Sequence, residues 1–151
     1  MKSLFLILFV IIGIFSFGQG TIGESNSKLF NNYKDVKHNL TDIPDSLQRT
    51  SINTQELKLV DRILSECIFE SHKGNHILKI GEMQYCYQLF PYFNSEGEKL
   101  VWVNALSMDS VKGDDIWQNE CIRVFDGYNY FWNVHLNLSK KEYQNLYVNG
   151  I

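Results

Sequence analysis

The sequence predicts an α+β fold, one long amphipathic helix packed on a four- to five-stranded antiparallel meander sheet. Two observations carry this. Apolar residues recur at helical spacing between about 54 and 72, and from Met83 onward they recur at every second position. Strands that each keep one wetter face need a cover on the other, and a single helix supplies it. The chain divides into a signal peptide at 1–18, a polar N-terminal segment at 19–51, and a single α+β domain at 52–151.

The leader reads "MKSLFLILFVIIGIFSFGQG", one early charge at Lys2 followed by an apolar run from Leu4 to Phe17. The run is short of the roughly 20 residues a membrane span needs. Small residues at Ser16 and Gly18 place the cut before Gln19, and no cysteine sits there to take a lipid. The expectation is an exported protein, periplasmic or secreted, with no membrane span once the leader is gone. In the polar segment Leu29, Phe30, Tyr33, Val36 and Leu40 suggest a short helix at about 27–38, ended by Pro44.

The long helix opens with a capping box: Asn53 precedes it and Glu56 follows three residues later. Leu57, Val60, Ile63, Leu64, Cys67 and Ile68 fall on one face, Lys58, Asp61, Arg62 and Glu66 on the other, and Gly74 is a natural stop.

Five alternating stretches follow, around Tyr85–Phe93, Val101–Ala105, Cys121–Val124, Trp132–Leu138 and Leu146–Val148. Facing residues of an antiparallel pair share a side, so hairpin loop length sets which face each residue takes. Leu89 opposite Val103 requires an odd loop, and Ser95-Glu96-Gly97 provides one with glycine third. The same reasoning selects Phe125-Asp126-Gly127 for a hairpin that sets Ile122 and Val124 beside Tyr130 and Trp132. A third loop, Ser139-Lys140-Lys141, fits by parity but lacks the glycine.

Without the leader the chain holds 13 basic and 17 acidic residues, with no basic stripe of the kind nucleic acid requires. About 133 residues suffice for one core without disulfides.

The stretches "GEKLVWVN", "VFDGYNYFWNVHLNL" and "YQNLYVNG" resemble a group of small exported bacterial proteins with a G-E-K-x-V-W-V-N hairpin, an Asp-Gly turn, a Y-F strand and a closing V-N-G. The resemblance covers roughly residues 40–151. It departs at the third hairpin, where Lys stands in place of Gly, and at Tyr128, which replaces a small residue. It implies an exported single domain and brings no activity. The helix-on-sheet arrangement itself is similar to cystatin-like folds.

Chemical constellations are sparse. Cys67 belongs to the buried helix face, whereas Cys86 and Cys121 point to the other side of the sheet on strands too far apart to bridge, so all three behave as small apolar residues. His72 and His76 have ligand spacing, but Gly74 between them ends the helix and no third ligand follows, so no metal or other cofactor is expected. Asp114 and Asp115 are loop neighbours rather than opposed carboxylates. No nucleophile elbow, phosphate loop or redox Cys-x-x-Cys is present.

The uncovered sheet face is the remaining candidate. Parity gives seven candidate contact residues on it, Trp102, Asn104, Arg123, Asn133, His135, Asn145 and Tyr147, with Asn119, Asn137 and Tyr143 on the same side and His135 between Trp117 and Asn145. Flat aromatics interleaved with amides suit a polar, ring-shaped or peptide-like partner. The sequence therefore points to a non-enzymatic binding or interaction protein, its partner a protein or glycan of the envelope or beyond. The alternative is a small exported enzyme with a pocket between helix and curved sheet, for which Glu120 is the main polar candidate.

Overall fold

A computed structural model of the chain describes residues 22–23, 25–31, 42–74, 80 and 83–150, with the backbone alone for 72–74. The leader with its cut before Gln19, His76 and the His72 side chain lie outside the described residues. The elements are β1 (Ser27–Leu29), α1 (Thr54–Gly74), β2 (Tyr85–Phe93), β3 (Lys99–Ser107), β4 (Tyr128–Asn137) and β5 (Glu142–Asn149). The strands form one sheet in the order β1-β2-β3-β4-β5.

The start of α1 follows the expected capping box. Asn53 Oδ1 accepts hydrogen bonds from the Gln55 and Glu56 amides at 2.9 and 3.0 Å, and Glu56 Oε2 accepts one from the Asn53 amide at 2.9 Å. Val60, Ile63, Leu64, Cys67 and Ile68 are buried against the sheet, among Tyr87, Val103, Trp132, Val134 and Leu136. Each large apolar side chain there contributes about 1.5–3 kcal/mol.

The first hairpin also forms as expected. Leu89 pairs with Val103, the Asn94 amide closes on Glu98 O at 3.0 Å, and Gly97 has φ +77°. That left-handed angle is where a side chain would be strained.

Four expectations are corrected. The sheet is mixed, because β1 runs parallel to β2 with Leu29 level with Leu89. Residues 27–29 are thus strand rather than helix, and 32–41 lie outside the described residues. Two adjacent apolar residues explain the misreading: Leu29 packs on the helix side, while Phe30 stacks on Phe90 across the sheet at 4.6 Å. Period two was present but only two residues long.

Second, residues 121–124 are not a strand. β3 pairs directly with β4, from Leu100↔Asn137 to Leu106↔Phe131, and the chain between them leaves the sheet. Trp132 lies in the helix-side core and Ile122 packs on the opposite side, so they do not share a face. Gly127 does have a positive φ of +116°, but for another reason: a Cβ there would stand 2.8 Å from the Phe131 ring.

Third, the last hairpin closes through four residues, with Asn137 opposite Glu142 and Lys141 at φ +61°. Face parity is restored farther along by an irregularity at Asn145, whose φ is +53°. Tyr143 consequently turns to the helix side, where its hydroxyl donates to Glu70 at 2.6 Å.

Fourth, the face away from α1 is not bare. The segment around Ile43 packs on Phe30, Phe90 and Trp102, and the 108–126 connection covers a further part through Trp117, Cys121 and Ile122. Among the described residues no helix is long and apolar enough to cross a membrane.

Candidate functional site

One row of side chains crosses the outer face from β2 to β5. Gln88 pairs with Asn104, Asn104 with Asn133, and Asn133 with Tyr147. Alternation along each strand sets all four on the same side, away from the helix. A second row runs Phe90, Trp102, His135, Gln144.

Gln88 anchors the row and the loop above it. It is wholly buried. Its Nε2 donates to the carbonyls of Trp117 and Glu120, both at 2.6 Å, and its Oε1 accepts from the Ile122 amide at 3.0 Å and Asn104 Nδ2 at 2.9 Å. All four bonds available to a primary amide are made. Gln88 is therefore the clamp that holds residues 117–122 against the sheet.

Chemistry then fixes how the next two amides point. Asn104 Nδ2 also donates to Ile122 O at 2.6 Å, so its Oδ1 is the remaining atom. Asn133 Oδ1 accepts from Trp102 Nε1 at 3.3 Å, so its Nδ2 is the remaining atom. Asn104 is 7% and Asn133 8% exposed, and what remains open on each is the leftover atom, which faces solvent and has no protein partner among the described residues.

Both line a cleft of about 270 Å³. Trp102 contributes to its base, Tyr147 and Asn149 form the β5 side, and Val124 and Phe125 form the loop side. The Asn149 side-chain amide donates to Val124 O and ties the two sides together. Arg123 and Asp42 complete the lining, joined by an ion pair of 2.8 Å. The Arg123 guanidinium lies 5.4 Å from the Phe125 ring centroid. Phe125 is 80% and Tyr147 52% exposed.

Of the seven residues the sequence singled out, Trp102, Asn104, Arg123, Asn133 and Tyr147 meet at this cleft. His135 and Asn145 do not line it. His135 is buried beside Trp102, with Nδ1 2.8 Å from the Tyr92 hydroxyl, and neither Trp117 nor Asn145 is its register partner. Burial pushes its imidazole below the ordinary histidine range, against the pull of the nearby Asp42 carboxylate. Burial likewise lifts the Tyr92 phenol to about 12. Asn145 is exposed in the β5 irregularity, leaving Gln144 opposite His135.

Sequence reasoning missed Asp42, Phe125, Val124 and Asn149. Phe125 was assigned to a hairpin turn, and Asp42 reaches the cleft from a segment with no periodic signal. Other candidates are placed elsewhere. Cys67, Cys86 and Cys121 are buried thiols, and burial raises those of Cys67 and Cys121 to about 12. Asp114 Oδ1 caps the Ile116 amide at 2.9 Å on an exposed loop. Among the described residues no group of three His, Cys, Asp or Glu side chains could hold a metal ion.

The chain matches no protein-family model, no curated protein and no solved structure.

Proposed function

We propose that this is an exported, non-enzymatic binding protein whose contact surface is the outer cleft between Tyr147 and Phe125. One observation carries the reading: two largely buried amides on adjacent strands each leave one polar atom open to solvent at the base of a cleft rimmed by exposed aromatic rings. Convergent polar atoms that face the opening of a cleft, bordered by aromatic rings, are the groups a bound partner pairs with in place of water. Export rests on the leader at 1–18. The resemblance to small exported bacterial proteins and the cystatin-like arrangement, one helix across four consecutive antiparallel strands, are parts of the same reading.

No specific observation favours the enzymatic alternative. Glu120 is exposed on the loop over the outer face, and apolar side chains fill the space between α1 and the sheet.

The test removes only exposed rings. The double variant Phe125→Ala/Tyr147→Ala should unfold within about 0.5 kcal/mol of the native protein, the usual range for surface changes. It should also lose the crosslinked partner recovered with the native protein from the exported fraction. Undiminished recovery of that partner would remove the cleft from consideration.

A further inference from the structure

We infer that the occupant of the cleft is an uncharged pyranose ring, a sugar unit of a neutral glycan. This deepens the binding reading and rests on it.

The polar base of the cleft selects hydroxyl groups. Asn133 Nδ2 is a donor and Asn104 Oδ1 an acceptor, and the two residues are direct cross-strand partners. Atoms so placed ask for neighbouring groups that can donate and accept at once. A hydroxyl does both, and adjacent ring hydroxyls offer two such groups at neighbouring carbons. A carboxylate only accepts and an ammonium only donates, so either leaves one of the amides unmatched.

Charge points the same way. The two ionic groups of the cleft, Arg123 and Asp42, neutralise each other at 2.8 Å. An anionic ligand would meet the Asp42 carboxylate beside Arg123, and a cationic one the Arg123 guanidinium beside Asp42, so neither finds a net opposite charge. A neutral ligand leaves the pair intact.

The aromatic rim supplies the remaining contact. A pyranose carries its hydroxyls around the edge and presents C–H bonds on its faces. Phe125 and Tyr147 offer ring surface to such a face, and Trp102 is already committed through its Nε1. The volume of about 270 Å³ lies just below the roughly 300–1,000 Å³ of drug-sized ligand sites, which suits one ring rather than a long segment.

An extended peptide is a poorer match. Strand addition needs unpaired backbone at a sheet edge; the β5 border offers one, but a peptide added there extends the sheet sideways and does not lie over Asn104 and Asn133, whose strands are paired on both sides.

The experiment uses the full mature chain on a printed array of neutral and acidic glycans. Hits are then titrated into isotope-labelled protein while the Asn133 side-chain amide and the Trp102 indole N–H signals are followed. The expected result is at least one neutral glycan that shifts both signals saturably. The same glycan should bind about tenfold more weakly to Phe125→Ala, and more weakly still to Phe125→Ala/Tyr147→Ala. Three outcomes would overturn the inference. If acidic glycans alone move the two signals, or a neutral tetrapeptide does so while no glycan does, the ligand class is wrong but the cleft stands. If neutral glycans bind yet leave both signals unmoved, the sugar site is elsewhere. If nothing binds on the array, the sugar assignment fails, and the crosslinking comparison above decides separately whether the cleft is a contact surface.

Discussion

Gln88 shows how much one side chain can organise. Its four hydrogen bonds hold two carbonyls and one amide of the 117–122 segment, and Asn104. Replacing it with leucine leaves those groups buried without partners, at about 1–3 kcal/mol for each group that cannot reach water. Gln88→Leu should therefore lose about 3 kcal/mol in urea unfolding, and the Ile122 amide should exchange faster with solvent. His135 makes a prediction in pH. Its folded form is held below the ordinary histidine range by burial, so on acidification the unfolded chain takes up the proton first. The contribution is whole above pH about 6.5 and is lost as pH falls towards the folded value. Unfolding midpoints of His135→Gln should show a flatter slope in that window. Glu56, whose carboxyl is held low against the opposing effect of burial by the Lys99 ammonium and the Asn53 amide, contributes fully above about pH 4.3 and loses that contribution only below it, so the two effects separate. Neither role was legible from sequence. Gln88 sits at an alternating polar position like any solvated one, and only the tertiary fold reveals that a loop lies over it.

Local signals were legible wherever the chain makes its structure from near neighbours. Asn53 and Glu56 cap the helix they announce, and Gly97 closes the hairpin whose parity demanded it. The parity rule failed at 121–124 because it was applied to a pair that does not exist. Four alternating residues cannot say whether they join a sheet or cross above it, and β3 prefers the longer apolar ladder of β4. At the last hairpin the rule met an even loop and a compensating irregularity, two cancelling shifts that leave Tyr147 on the expected face but turn Tyr143 over. Lys141 carries the cost, with φ +61° and an exposed side chain. Lys141→Gly should stabilise the protein by about 1 kcal/mol, the penalty of a left-handed non-glycine residue, read as a higher urea midpoint with unchanged slope.

Across the whole molecule, the outer face is mostly a second core. Ile43, Phe90, Trp102 and Cys121 are buried there as thoroughly as the residues under the helix. Trp102 is 2% exposed, so Trp102→Ala should cost about 3–5 kcal/mol and cannot serve as a clean binding variant. The strip beside β5 is what the coverings leave open, and it holds the exposed rings and unmatched amides. Trp102, Asn104, Asn133 and Tyr147 were legible on the outer face because β3, β4 and the far half of β5 keep their faces, whereas Arg123 reaches the cleft from the connection that the alternation presents as a strand. The walls were not, since Asp42 and Phe125 arrive from irregular segments whose position depends on long-range contacts.

The kink at Asn145 has one more effect. β5 borders the sheet, and a flat margin of that length would invite a neighbouring copy to dock strand against strand. A left-handed residue in its middle interrupts the row of outward amides and carbonyls, so such copies lose their template halfway along. One left-handed asparagine thus breaks the continuity of the sheet's exposed border.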